Sequence, residues 1–194
     1  MQDNSFNEKI FNEFPVLETE RLILREITLK DAEDIFAIYS NEEVMKYFGK
    51  NTYKELKEAE LMAERCINAF KDKEGIRWGI TFKNSDELIG SAGIWRIVKN
   101  HLRGEIGYDL KITYWNRGIM TESLKAITSF GFNKMNLHTL EANIDPENIA
   151  SKKLLGKIGF IKEGYFRESY LQDGEFLDSE IYSMINTGHQ KNRK

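Results

Sequence analysis

The stretch that decides the reading is Arg103-Gly104-Glu105-Ile106-Gly107-Tyr108-Asp109-Leu110-Lys111-Ile112-Thr113-Tyr114-Trp115-Asn116-Arg117-Gly118-Ile119-Met120-Thr121-Glu122. Residues 103–112 keep the period of two expected of a strand, and a helix opens near Gly118 and runs to Lys134. Where a strand ends and a helix begins, the first helical N–H groups lack internal partners and sit at the positive end of the dipole, which suits an anion. Gly118 lets the backbone approach such a ligand closely, and Arg117 can add charge beside a phosphate. The geometry accommodates a pyrophosphate. It equally describes a plain helix start, with Gly118 making the turn and Glu122 complementing the dipole. Neither GxxxxGK[ST] nor GxGxxG occurs in the chain, which rejects a P-loop and a Rossmann fingerprint.

Upstream, 76–82 and 88–98 read as two strands joined by the turn-forming Asn84-Ser85-Asp86, so that 103–112 completes an antiparallel meander. Before it come a strand over 20–27, a helix with Thr28 and Asp31 in capping-box spacing, a short helical turn over 42–48 and a longer helix. The pair Thr52 and Glu55 predicts the start of that longer helix, and Leu56, Ala59, Ala63, Ile67 and Phe70 carry its apolar stripe until Gly75. Downstream lie a strand over 139–144, a helix over 148–157 and strands over 160–168 and 175–184. The order β-α-α-β-β-β-α-β-α-β-β predicts a mixed α/β (α+β) domain around one central sheet.

The chain has 194 residues, 41% hydrophobic and 30% charged, which is the balance of an ordinary globular domain. With two prolines, no Gly/Ser linker and no internal repeat, nothing divides it. We expect an N-terminal extension over 1–14, a single domain over 15–187 and a tail over 188–194. The lone Cys66 excludes a disulfide framework and reads as core. His101, His138 and His189 stand in no metal-ligand spacing, so no metal is expected, and none has a Ser or Cys partner in a hydrolase motif. A net charge of −3 gives nucleic acid no footprint. The start MQDNSFNEKI lacks the basic and apolar regions of a signal peptide, and no run approaches the ~20 apolar residues of a span. The expectation is a cytoplasmic protein with no membrane partner.

A second segment, Asp145-Pro146-Glu147-Asn148-Ile149-Ala150-Ser151, opens the helix that Gly159 closes. Asn148 is a natural N-cap, and Ser151 in the first turn can place a hydroxyl beside the preceding strand. Seven fragments now fall in register: Leu17 to Arg25, Asp31-Ala32-Glu33-Asp34, Glu87-Leu88-Ile89-Gly90, Glu105-Ile106-Gly107-Tyr108, Arg117-Gly118 with Thr121-Glu122, Asn148 with Ser151, and Lys157-Ile158-Gly159-Phe160. Together, over about residues 15–187, they resemble the GCN5-related N-acetyltransferases (GNAT), and most closely the branch of the ribosomal-protein N-terminal alanine and serine acetyltransferases.

The resemblance implies acetyl-CoA as donor, an amine as acceptor and direct transfer in a ternary complex. It implies a GNAT acyl-CoA N-acyltransferase fold with helices on both faces, in which a β-bulge or V-shaped splay parts the fourth and fifth main strands. Pantetheine would pair with backbone at Leu110, Lys111 and Ile112, with Asn148 orienting it and Asn143 close by. The pyrophosphate would rest along Trp115, Asn116, Arg117, Gly118, Ile119, Met120 and Thr121. The chain departs from the family pattern Q/R-x-x-G-x-G/A, carrying Trp115 at its first position and Met120 at its last.

An attacking ammonium must first lose a proton, which an α-amine (pKa ~7.7–8.0) does more easily than an alkylamine (~10.4). The oxyanion then needs a donor, which a backbone N–H at the end of the third meander strand can supply, and the thiolate needs a proton or a hydrogen bond. Ser151 is the candidate for the thiolate, with Tyr165 the competing acid. Glu105 is either the base, acting through a water, or a surface carboxylate. Asp178 is an acceptor contact or a turn residue. Tyr47, Phe48, Trp78, Trp95 and Tyr114 wall an acceptor pocket or belong to the core, and Arg21 and Arg25 read as partners of carboxylates. Three functions follow: acetylation of a protein N-terminal α-amine, acetylation of a small amine (polyamine, amino sugar or amino acid), or a non-catalytic coenzyme A sensor. The expected assembly is a monomer or homodimer.

Overall fold

The computed structural model describes residues 5–49, 51–172 and 174–189. Among these described residues eight strands form one sheet: β1 (Leu17–Glu18), β2 (Leu22–Glu26), β3 (Ile76–Phe82), β4 (Gly90–Val98), β5 (Arg103–Leu110), β6 (Thr139–Ile144), β7 (Ile161–Gln172) and β8 (Glu175–Ile185), in the spatial order β1-β2-β3-β4-β5-β6-β8-β7. The helices are α1 (Ala32–Tyr39), α2 (Glu42–Met45), α3 (Leu56–Lys71), α4 (Ile119–Asn133) and α5 (Ile149–Ile158). The expected element order is present, with the two-residue β1 added at the edge and the short turn over 42–48 forming a helix of its own, α2.

Alternation along the strands builds two apolar clusters. Leu22, Leu24, Trp78, Ile80, Ile94, Ile106 and Leu140 meet Ile127 and Phe130 of α4 and Leu155 of α5. Ile27 and Leu88 meet Ile35, Ile38 and Tyr39 of α1 and Ala59 and Ala63 of α3. The segment expected as an extension supplies buried Phe6 and Phe11 to the first cluster, and Phe14 packs on Phe70 with ring centroids 4.9 Å apart.

Among the described residues β5 and β6 are the one parallel pair, and they stay together only at Arg103↔Thr139, Gly104↔Leu140 and Glu105↔Glu141. Beyond Glu105 the two strands part, β5 continuing against β4 to Leu110 and β6 against β8 to Ile144. The V therefore opens where the resemblance implied. A bulge lies beside it in β4, between Trp95 and Val98, where Arg96 takes φ +46°.

Local details differ from expectation in two places. The Thr28–Asp31 capping box forms, the Thr28 N–H donating to Asp31 at 2.7 Å. At the longer helix the box moves three residues on, because the Lys54 and Glu55 N–H groups both donate to Glu58 (2.6 and 3.0 Å) and Glu55 becomes the N-cap. The third meander strand ends at Leu110 rather than Ile112. There the Lys111 N–H turns to the Ile89 carbonyl, and residues Ile112–Tyr114 coil into a 3-10 turn.

Candidate active site

The parting of β5 from β6 leaves a cavity of about 460 Å³, within the range of small-molecule sites. One side is β5 itself at Tyr108, Asp109 and Leu110. The other walls are the start of α4 (Gly118, Ile119, Met120 and Thr121), the start of α5 (Asn148, Ala150 and Ser151), and Val44, Tyr47 and Phe48 from the α2 region.

The α4 wall is shaped by the loop before it. Asn116 (φ +60°) and Gly118 (φ +74°) both take left-handed backbone, and Gly118 caps the helix. The first bond of this turn runs from the Glu122 N–H to the Gly118 carbonyl at 3.0 Å, so the amides of Ile119, Met120 and Thr121 precede the helical ladder. Met120 is 7% exposed and joins the core, so its bulk at the last position of the loop pattern is directed inward. The Arg117 side chain lies over the Tyr114 ring at 5.7 Å, outside the cavity lining, while its carbonyl accepts from Arg21. Lys46, Lys153 and Lys157 bring positive charge to the lining and Glu43 opposes it.

The pantetheine stretch divides. Leu110 lines the cavity, but its carbonyl already accepts from the Trp115 indole at 2.8 Å. Lys111 is drawn to α1 and the segment between β3 and β4, where its ammonium meets Asp34 (2.8 Å) and Glu87 (2.7 Å). Ile112 is exposed and, like Lys111, stands outside the lining, so the backbone of β5 left on the cavity side is that of Tyr108, Asp109 and Leu110.

Asn148 and Ser151 come together as the spacing predicts. The Asn148 side chain accepts from the Ser151 N–H at 3.0 Å, which caps α5 and fixes Ser151, 8% exposed, at the cavity wall. The sequence reading passed over what faces them. Tyr108 points to the same wall, and burial pushes its phenol up to about 12, with the neighbouring Ser151 hydroxyl offsetting part of that rise. Asp109 was also missed. It accepts from Tyr39 (2.9 Å), Arg77 (2.5 Å) and Ser91 (2.6 Å), tying α1 to three strands beneath the cavity.

The remaining candidates are spread out. Glu105 lies outside the lining, at the crotch of the V. Burial holds its carboxyl above the ordinary range against the pull of Arg96 (3.1 Å), and Glu141, directly across in β6, adds to the rise. Tyr165 donates to Asp178, which also accepts from the Glu168 N–H at 2.7 Å; the two brace the β7–β8 hairpin, and neither lines the cavity. Asn143 is exposed on β6. Of the aromatic residues, Tyr47, Phe48 and Tyr114 line the cavity. Trp78 is fully buried, its indole donating to the Pro15 carbonyl at 2.7 Å, and Trp95 is 48% exposed on the sheet. Arg21 and Arg25 pair with carboxylates, as read from the sequence; the structure makes these Glu122 and Asp31.

Comparison with known proteins gives the family and the fold. The sequence profile of the acetyltransferase (GNAT) domain matches residues 21–161. The uncharacterized N-acetyltransferase YoaA of Bacillus subtilis (strain 168) is 40% identical over 172 residues, 89% of this chain and 97% of YoaA. The [ribosomal protein uS5]-alanine N-acetyltransferase of Escherichia coli (strain K12) is 28% identical over 114 residues, 58% of this chain and 59% of that protein. Among solved structures, a GNAT-family acetyltransferase from Bacillus anthracis superposes with a TM-score of 0.79 at 25% identity, covering 88% of this chain and 98% of that one.

Proposed function

The chain belongs to the GNAT acetyltransferases, and from that premise we propose that it moves an acetyl group from acetyl-CoA to a protein N-terminal α-amine, at the cavity between β5 and β6. One observation carries this reading: a single cavity joins the free amides of the α4 start to the Asn148–Ser151 cap and the Tyr108 hydroxyl. The first feature suits a diphosphate, because unpaired N–H groups and the helix dipole converge there. The second presents hydroxyl hydrogen where a departing sulfur needs it. The unpartnered Tyr108 hydroxyl supports this reading, because a buried polar atom at a cavity wall favours a polar occupant, which a thioester supplies.

In this reading the diphosphate rests on the amides of Ile119, Met120 and Thr121, with Lys153 and Lys157 adding charge. Ser151 touches the sulfur and protonates or hydrogen-bonds it as the carbon–sulfur bond breaks. The acceptor enters from the α2 side, past Tyr47 and Phe48. Glu105, raised above its ordinary range at the crotch of the V, takes the amine's proton through solvent. An α-amine is favoured because, with a pKa of ~7.7–8.0, a large share of it is already neutral near pH 7.5.

Free thiol released from acetyl-CoA, followed against a panel of peptides and small amines, tests the assignment. Release with peptides bearing a free N-terminus, abolished by blocking that terminus, is expected. Release with polyamines, amino sugars or amino acids alone would move the acceptor to a small amine. Coenzyme A binding with no release across the panel would make the protein a sensor.

A further inference from the structure

Among the described residues, one buried side-chain polar atom has no hydrogen-bond partner: the hydroxyl of Tyr108. It stands on β5 at the cavity wall, and the polar side chain that faces it is Ser151, 43 residues further along the chain. A buried hydroxyl left unpaired costs folding free energy, so its retention at a cavity points to a use in the bound state. Its protonation state limits that use. With the phenol pushed up to about 12, Tyr108 is neutral across the physiological range and keeps its hydrogen to donate in a hydrogen bond.

Resting on the acetyl-transfer reading, we infer that Tyr108 is a positioning residue for the leaving group: its hydroxyl donates to Ser151 Oγ and thereby turns the serine's own hydrogen toward sulfur. As the carbon–sulfur bond of the tetrahedral adduct breaks, its electron pair passes to sulfur, and the Ser151 hydroxyl hydrogen-bonds the thiolate as it forms. The proton that the attacking nitrogen gives to solvent balances the one the thiolate takes up, and Ser151 and Tyr108 both remain protonated throughout. The Asn148 cap holds the Ser151 backbone while Tyr108 orients its hydroxyl, so main chain and side chain are fixed from different elements.

Tyr108→Phe keeps the ring and removes the orphan atom. The free variant should melt higher, by about 2–4 °C for a chain of this size, while kcat falls about tenfold and the KM for acetyl-CoA stays within about twofold. A merely structural tyrosine would lose stability and activity together, and that result, or an unchanged kcat, overturns the inference. The double variant Tyr108→Phe, Ser151→Ala should be no slower than Ser151→Ala alone, because the phenol acts through the serine. Multiplying losses would instead put Tyr108 on the substrate independently and overturn the relation. Coenzyme A alone supplies a readout that needs no turnover: it should raise the melting temperature of wild type and Tyr108→Phe by similar amounts, and a rise lost in Tyr108→Phe would make Tyr108 a binding residue and contradict the role. Absence of thiol release by wild type with every acceptor would count against acetyl transfer itself, and leaves these melting comparisons standing as the test of Tyr108.

Discussion

Glu122 reaches back from the first turn of α4 to Arg21, accepting from its Nε at 2.7 Å and from its backbone N–H at 2.9 Å. The carboxylate also accepts from the Thr19 hydroxyl at 2.5 Å. A negative charge in a first turn competes with any anion at the same amides, and Arg21 offsets that competition while anchoring α4 to β2.

Arg21→Ala should therefore weaken coenzyme A binding about two- to fivefold, the scale of one helix-end charge, and more at low salt than at high. Calorimetric titration at two ionic strengths checks this; an affinity that is unchanged at both would remove Glu122 from the electrostatics of the site.

Gly118→Ala tests the loop geometry. A Cβ there meets Arg21 Nη2 at 3.6 Å, an ordinary contact, so the strain comes from φ +74°. We expect a loss of about 1–2 kcal/mol in stability and a weaker grip on coenzyme A, because the loop relaxes away from the left-handed conformation that aims the amides. Denaturant unfolding and titration measure the two effects separately.

Asp109→Asn removes the charge that pairs with Arg77 beneath the cavity, where Asp109 is 4% exposed and the Arg77 side chain 20%. Leaving a buried guanidinium without its carboxylate should cost about 3–5 kcal/mol, and the Tyr39 anchor of α1 loosens with it. Loss of thermal stability with little change in the KM for acetyl-CoA of the protein that remains folded is the expected pattern.

Carboxyls held below their ordinary values set the acid limit of stability, Glu122 and Asp31 among them. At Glu122 burial raises the pKa, but hydrogen bonds from Thr19 and Arg21 outweigh it; at Asp31 burial is likewise outweighed by Arg25 and Thr28. Both are held below their ordinary values, so their stabilisation is present above about pH 4.5 and is lost as the pH falls through the folded-state pKa. Glu105, raised by burial, has the opposite sign: its contribution is present at low pH and is lost as the pH rises through its folded-state pKa. Melting followed from pH 7 to pH 3 should fall most steeply below pH 4.5, and Glu122→Gln should flatten that fall.

Ser151→Ala should lower kcat by ~10²-fold or less and leave coenzyme A affinity largely intact, since the phosphates are held elsewhere. Collapse of affinity with turnover preserved at saturation would make Ser151 a binding residue.

Much of this site was legible because its signals are local. Asn148 and Ser151 are three apart, Asn148 capping the helix through the Ser151 N–H, and Gly118 stands where left-handed backbone is needed, so both are read from local sequence. What the sequence concealed depends on distant partners. The third meander strand stops at Leu110 because Lys111 is drawn to Asp34 and Glu87, 77 and 24 residues away. Tyr108 reads as one more apolar position of a strand until Ser151 is placed opposite it, and Asp109 gains meaning only from Tyr39, Arg77 and Ser91. At the longer helix two capping boxes compete three residues apart, and the one with Glu58 wins because that carboxylate takes two backbone N–H groups.

Amide hydrogen exchange, compared with and without saturating coenzyme A, tests the central claim most directly. The account predicts slowed exchange at residues 117–123 and along 106–110, the helix start and the strand bordering the gap. Protection confined to other parts of the sheet, or an exchange pattern identical in the two conditions, would contradict it.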